Sequence, residues 1–399
     1  MTAALLTSPS VDPLPCPTPP APPLLLDYLR QVPDPRDPRG LRHPLPALLL
    51  LTVVAILAGR THNLGISEWG RGSAPALQQA LGFAPAKTPA PSTFHEVFRR
   101  LDWTAFSQQL REWAVALGHF LDPDGQSPLA CDGKAVRGSA RAGAEVAHLL
   151  SVFCSELGIT LDLAPVPHKS GELSAAPALL LRVGLAGRII TLDALFTHET
   201  LAEAIVQAGG DYVLPVKGNQ PDLRDALQEL CAQHRTDPEP ERSAQTDERA
   251  HGRREVRSLR LVPLSAQDGI DWGHARQVFR LERRRFYRDR QGRDRYSYTV
   301  TYGITSLEPA EADAARLLAL VRGHWGIEVR SHWIRDTTLC EDASRIATAN
   351  IVQVVTGVRC AALTLLHRYR QEQDISVASA ARRLQQNPWE ALRLVRGNA

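Results

Sequence analysis

Six cysteines are scattered along 399 residues, and no two of them form a CxxC pair. Cys16, Cys131, Cys154, Cys231, Cys340 and Cys360 therefore outline neither a zinc cluster nor a disulfide framework, and a reducing cytoplasm suits them. Charge of one sign is also scarce. The formal net charge is +3, which is too small to argue for a nucleic-acid partner unless the cations are concentrated somewhere. Long apolar runs are missing too. The longest, from Leu45 to Gly59, contains Pro46 and Thr52 and falls short of the ~20 residues of a membrane-spanning helix, so it reads as a buried helix. The N-terminus lacks a basic segment followed by an apolar one, so no signal peptide is expected. There is no GxxxxGK[ST] loop, and His95-Glu96 lacks the second histidine of a zinc helix, which leaves no support for ATP use or zincin chemistry.

What is present centres on Leu129-Ala130-Cys131-Asp132-Gly133-Lys134-Ala135-Val136-Arg137-Gly138-Ser139. An apolar strand ends on an aspartate, and flexible backbone and cations follow. Arg188-Ile189-Ile190-Thr191-Leu192-Asp193-Ala194 repeats the pattern. A strand-end carboxylate is costly to leave uncompensated, and two on neighbouring strands make a hard-oxygen site for Mg²⁺ or Mn²⁺. Taken alone, either aspartate reads as an ordinary loop-starting residue; two in matched contexts, with a third acid further on, read as a site. Cys131 could be a thiol nucleophile, but its place in the strand pattern makes it a small core residue.

Residues 1–24 are rich in Pro, Ser and Thr and read as a disordered tail. Residues 25–121 carry helical periodicity and form a helical N-terminal domain. Arg60, Arg71, Arg99 and Arg100 at its helix ends fit either a DNA-end-binding module or a plain support domain. From residue 122 to 399 the pattern is mixed. Strands at Leu129–Asp132, His148–Cys154 and Ile159–Pro165 precede a helix at Ala176–Val183. A strand at Arg188–Asp193, a helix at Glu199–Gln207 and a strand at Asp211–Val216 follow. This βββαβαβ order places the two aspartates on adjacent central strands of a ribonuclease-H-like α/β sheet. Residues 221–310 open with a short helix over Asp222–Cys231 and then read as a mostly β insertion, with strands such as Arg254–Val262 and Tyr296–Thr305.

Several blocks in this order resemble the H-repeat-associated DDE transposases of bacterial insertion sequences. They are Asp132-Gly133-Lys134 with Arg137-Gly138-Ser139, Lys169-Ser170-Gly171-Glu172, Thr191-Leu192-Asp193-Ala194, and Gly209-Gly210-Asp211-Tyr212-Val213-Leu214 with Lys217-Gly218-Asn219-Gln220. The last are His324-Trp325-Gly326-Ile327-Glu328, His332-Trp333, Asp336 and Glu341-Asp342-Ala343-Ser344-Arg345. The resemblance spans about residues 25 to 368. It implies metal-dependent DNA cleavage at element ends and strand transfer of the 3′ hydroxyl, a third acid on a late helix, DNA as partner (terminal inverted repeats and target), a homodimer on DNA, and a cytoplasmic, nucleoid-associated site of action. Alternatives are an inactive or domesticated DNA-binding relative and a metal nuclease without strand transfer.

A helix over Leu317–Asp336 brings His324, Glu328, His332 and Arg335 near one face. The family's Tyr, Arg, Glu, Lys signature aligns with Val321, His324, Glu328 and Arg335, so Glu328 is the third acid, ahead of Asp336 and Glu341. Asp132, Asp193 and Glu328 are then the expected catalytic and metal-binding residues, for two ions about 3.5–4 Å apart. Lys134, Arg137, Lys217 and Arg335 are candidates to neutralise phosphates near the metals. Arg283, Arg284 and Arg285, within an arginine-rich stretch containing Phe279, Phe286 and Tyr287, are candidates for contact with the DNA backbone, against the plainer reading of a solvated, ion-paired hairpin. Trp325 and Trp333 could stack on an extruded base, but helical spacing favours core positions.

Overall fold

The computed structural model describes residues 21–85, 87–140, 145–234, 240–250 and 252–397, so most of the Pro-rich tail lies outside the described residues. Six helices come first: α1 (Leu25–Leu29), α2 (Leu45–Leu57), α3 (Asn63–Gly72), α4 (Pro75–Ala80), α5 (Pro91–Arg100) and α6 (Trp103–Leu121). Pro46 in the first turn of α2 gives up no helical hydrogen bond, and the helix is buried on nearly every side. The Asp102 side chain caps α6 by accepting from the Thr104 amide at 2.8 Å.

Nine strands then share one sheet: β1 (Leu129–Val136), β2 (Ala147–Cys154), β3 (Ile159–Val166), β4 (Ile189–Leu192), β5 (Asp211–Val216), β6 (Ser243–Ala250), β7 (Arg253–Pro263), β8 (Gln277–Arg288) and β9 (Asp294–Thr305). Their order is β3-β2-β1-β4-β5-β9-β8-β7-β6. The β1–β4 and β4–β5 pairs are parallel and the other pairs are antiparallel. The first five strands have the order expected of a ribonuclease-H-like sheet. The β-rich region after β5 is more than an appended insertion. Its strand β9 pairs with β5, so β6–β9 continue the catalytic sheet and form one wall of the site.

The intervening helices are α7 (Glu172–Val183), α8 (Glu199–Gln207) and α9 (Pro221–Gln233). After the sheet come α10 (Ala314–Gly323), a π-helical turn (Glu328–His332), α11 (Trp333–Thr337), α12 (Ala349–Glu372), α13 (Val377–Gln386) and α14 (Pro388–Arg396). The continuous helix expected over Leu317–Asp336 is therefore broken. Gly326 sits against the Ser155 side chain, where a Cβ would overlap it, and the following turn widens to π geometry.

Helix α12 is long and apolar enough to span a membrane, yet 83% of its most apolar window is buried within the protein. It packs on α2, α5, α6 and β3. One apolar core thus joins the N-terminal helices, the sheet and α12–α14. A second cluster joins Ile189, Val213, Leu259, Leu261 and Phe279 of the sheet to Leu317 and Leu318 of α10. Burial of this apolar area holds α10, which leads into the π turn, against β4, β5, β7 and β8.

Candidate active site

The parallel ladder between β1 and β4 ends at Cys131 paired with Leu192. The next residues on each strand are Asp132 and Asp193, so register alone places the two carboxylates side by side. The carboxyl end of parallel strands is where open α/β sheets present ligands. Asp132 does not end its strand, as the sequence suggested; β1 runs on to Val136, paired with β2 through Asp132 opposite Ser151. Asp132 stands at the edge of the site because its parallel neighbour stops there.

Glu328 arrives from the π turn. Ile327 packs with Ala130 of β1 and Phe153 of β2 and fixes that turn on the sheet. Ligand atoms of Asp132, Glu328 and His332 all lie within 4.8 Å of one another. His332 Nδ1 is 2.9 Å from a Glu328 carboxylate oxygen and 3.8 Å from an Asp132 oxygen. The sequence placed His332 on this face without giving it a role, although its spacing of four from Glu328 was the available signal. Asp193 lies outside this trio. Its carboxylate caps its own loop through the Ala194 amide and lies 3.4 Å from Lys217 Nζ. Asp132, Asp193, Glu328 and Lys217 nevertheless line one cavity of about 540 Å³, together with Thr191, His324, Trp325 and Arg283.

The electrostatics suit a cation. Burial raises the Asp132 pKa, His332, the Gly133 amide and His324 pull it down, and Asp193 adds to the rise. Hydrogen bonding from His332 lowers the Glu328 pKa, with burial opposing. Burial is also the main cause of the low His324 pKa, so this imidazole is held toward its neutral form. Its Nδ1 lies 3.2 Å from the Thr191 hydroxyl, which ties the end of α10 to β4. Glu172, at the start of α7, is a further buried carboxyl whose pKa burial raises, with Asp132 adding to the rise. It lies over Gly133, and a Cβ there would collide with its carboxylate, which explains the glycine after the aspartate. Gly138 is similarly constrained, because a Cβ would run into the carbonyl oxygens of Asp342 and Ser344.

Comparison with known proteins agrees with this arrangement. A family model described as "Transposase DDE domain" matches residues 119–365, and one described as "DDE_Tnp_1-associated" matches residues 26–114. The chain belongs to the DDE transposase family. "Putative transposase YncI" of Escherichia coli O157:H7 is 31% identical over 349 residues, covering 86% of this chain and 87% of the relative. "H repeat-associated putative transposase YhhI" of Escherichia coli strain K12 is 28% identical over 350 residues, covering 86% and 90%. A cryo-EM structure of a piggyBac transposase synaptic complex with hairpin DNA aligns with a TM-score of 0.37 at 12% identity, over 88% of this chain and 71% of its own, a likeness too slight to argue from.

The cations expected around the site divide into two groups. Lys217 and Arg137 are exposed at its mouth, Arg137 with its amide on the Asp342 carboxylate. Lys134 and Arg335 are not available to phosphates. Lys134 is buried with its ammonium 2.7 Å from Asp336, and Arg335 is fully buried on Glu341 at 2.7 Å. Both belong to an internal ion cluster that fastens β1 to α11. The rival acids Asp336 and Glu341 are occupied in that same cluster.

The three consecutive arginines cannot share one DNA surface, because strand alternation sends neighbours to opposite faces. Arg283 faces the cavity and is held by Glu255. Arg285 lies on the same face, 3.1 Å from the Ser297 hydroxyl. Arg284 points to the other face, over the Tyr298 ring and 3.1 Å from Glu282. The tryptophans are also not core. Trp325 and Trp333 are 62% and 59% exposed.

Proposed function

We propose that this transposase-family protein cuts DNA at the ends of an insertion element and joins the freed 3′ hydroxyl to target DNA. Asp132, Asp193 and Glu328 are proposed to hold Mg²⁺ or Mn²⁺. One observation carries the reading: three acids from β1, from the loop after β4 and from the π turn open into a single 540 Å³ cavity that Lys217 and Arg283 also line. The donor set fits such ions, since carboxylate oxygens are hard ligands and the Asp132–Glu328–His332 atoms are already within 4.8 Å of one another. Bound ions would supply charge stabilisation at the attacking and leaving oxygens.

The protein's own groups do the positioning. Asp132 and Glu328 are fixed by the sheet register and by Ile327, and neutral His324 anchors Thr191 without adding charge. Lys217, Arg137 and the cavity face of Arg283 and Arg285 meet the phosphates. In the first step water attacks phosphorus and the 3′ oxygen leaves as a hydroxyl. In the second that hydroxyl attacks a target phosphodiester, forming one P–O bond as another breaks. Each step exchanges equivalent bonds, so neither needs a nucleotide energy source. Joining two ends at once calls for two copies, and a homodimer on DNA is part of the proposal.

Purified protein, Mg²⁺ and DNA carrying the sequences that flank the gene test this directly. The expected outcome is a strand-transfer product that disappears with EDTA. Nicking alone would reduce the activity to that of a nuclease, and binding without cleavage would leave only a DNA-binding protein. Replacing Arg137 and Lys217 together with alanine should reduce the slope of log K against log salt by up to roughly two, at about 0.9 per lost phosphate contact. An unchanged slope would remove both residues from the DNA path.

A further inference from the structure

We infer that His332 is a metal ligand, completing with Asp132 and Glu328 a cation site of one imidazole nitrogen and two carboxylates, and that this position takes Mn²⁺ in preference to Mg²⁺. The inference builds on the proposed acidic metal site and adds a ligand that a trio of acids does not contain.

His332 Nδ1 faces both carboxylates, at 2.9 Å from Glu328 and 3.8 Å from Asp132. The ring is 4% exposed, and its Nε2 has no hydrogen-bond partner among the described residues. A buried histidine kept for packing or fold stability ordinarily has its ring nitrogens satisfied by the protein. Among the described residues, the polar contacts of this one run to two carboxylates. Asp193, by contrast, is outside the 4.8 Å trio and close to Lys217. The acids are therefore chemically unequal: Asp132 and Glu328 share the His332 imidazole as a neighbour, whereas Asp193 stands by Lys217.

The inequality has a consequence for metal choice. Mg²⁺ is a hard ion that demands oxygen donors, keeps several waters and gains little from imidazole. Mn²⁺ also takes carboxylate ligands and, as a first-row transition ion, gains more from an imidazole nitrogen than Mg²⁺ does. His332 and Glu328 stand at the two ends of the same π turn. The competing role for His332 is to orient Glu328 by hydrogen bonding alone, in which case its nitrogen never contacts the ion.

Electron spin echo envelope modulation of Mn²⁺ bound to the full-length protein separates the two. A ligating ring is expected to give the nitrogen-14 coupling of a coordinated imidazole, lost in His332→Gln and retained in His324→Gln. Titration followed by the free Mn²⁺ signal should show Mn²⁺ bound at least tenfold more tightly than Mg²⁺ in the wild type. In His332→Gln, Mn²⁺ affinity should fall at least tenfold and Mg²⁺ affinity less than threefold. Mn²⁺ bound without nitrogen coupling, or with affinity within twofold of wild type in His332→Gln, would overturn the inference while leaving the acidic site standing. No Mn²⁺ binding to the wild type at all would overturn both. Should His332→Gln fail to fold, retention or loss of the coupling in His324→Gln decides the question.

Discussion

Asp132→Asn is expected to lower DNA cleavage by at least about a thousandfold while raising the thermal stability of the ion-free protein. The first effect follows from the residue's place. It is the acid common to both halves of the cavity, in register with Asp193 and within ligand distance of Glu328 and His332. Charge stabilisation by a bound divalent ion is worth several kcal/mol of barrier, and each 1.36 kcal/mol is tenfold in rate. The amide keeps the shape and loses the charge. DNA binding, which the proposal assigns to cations at the mouth and along β8, should be largely unchanged in a gel-shift assay at fixed salt.

The second effect runs opposite to an ordinary core substitution. Burial, with Asp193 adding, raises the Asp132 pKa above its unfolded value. Above that raised pKa the native state carries a charge it holds less comfortably than the unfolded chain does. As pH falls through it, the native state takes up a proton first, and the penalty is relieved. The variant never bears the charge. Its melting temperature without divalent ions should therefore exceed that of the wild type at neutral pH, and the gap should close as pH falls toward the ordinary carboxylate range. Added Mn²⁺ should stabilise the wild type and leave the variant unmoved. A variant no more stable than wild type at neutral pH would mean that the carboxylate is already compensated without an ion.

The sheet was legible because its strands are short apolar runs bounded by turn residues. Helix α8 and strand β5 fall on the residues expected of them, and the order of the first five strands follows from the spacing of runs and helices. Asp132 and Asp193 stood out because each ends an apolar run. What local pattern could not show was partnership. The continuity of β9 with β5 is a long-range pairing that leaves no local trace. Arg335 sits at the interval of a phosphate-binding cation, yet its burial is set by Glu341, which the chain delivers around a turn. Trp325 and Trp333 keep helical spacing, but the spacing presumes a regular helix, and the chain there leaves α10 at Gly323 and passes through a π turn. His332 was visible at its interval from Glu328, but an i to i+4 pair of that kind is common on helices, and only the arrival of Asp132 from β1 distinguishes it.

Glu341→Gln should destabilise the protein by about 3–5 kcal/mol, the usual cost of breaking a buried ion pair by removing one partner. Glu341 is fully buried between Arg335, at 2.7 Å, and Lys134, at 3.7 Å, with Thr356 Oγ1 donating to it at 3.3 Å. Burial alone would raise its pKa, but Arg335, Arg359 and Lys134 overcome that and hold it below the usual range. Its contribution is therefore present above the unfolded-state pKa and is lost as pH falls through the lower folded-state value. The variant's deficit should be largest at neutral pH and shrink in acid. Arg335→Met combined with Glu341→Gln should cost less than the sum of the single changes, since the double variant no longer buries an unpaired Arg335. Lys134 gives the cluster its bearing on chemistry. It lies two residues beyond Asp132 on β1 and reaches Asp336 on α11, directly after the turn that carries Glu328. The buried charges thus clamp the strand of the first acid to the helix following the last, and Glu341→Gln should weaken Mn²⁺ binding at temperatures where circular dichroism still reports a folded protein. If metal affinity instead followed the folded fraction alone, the cluster would be a stabilising device with no hold on the spacing of the acids.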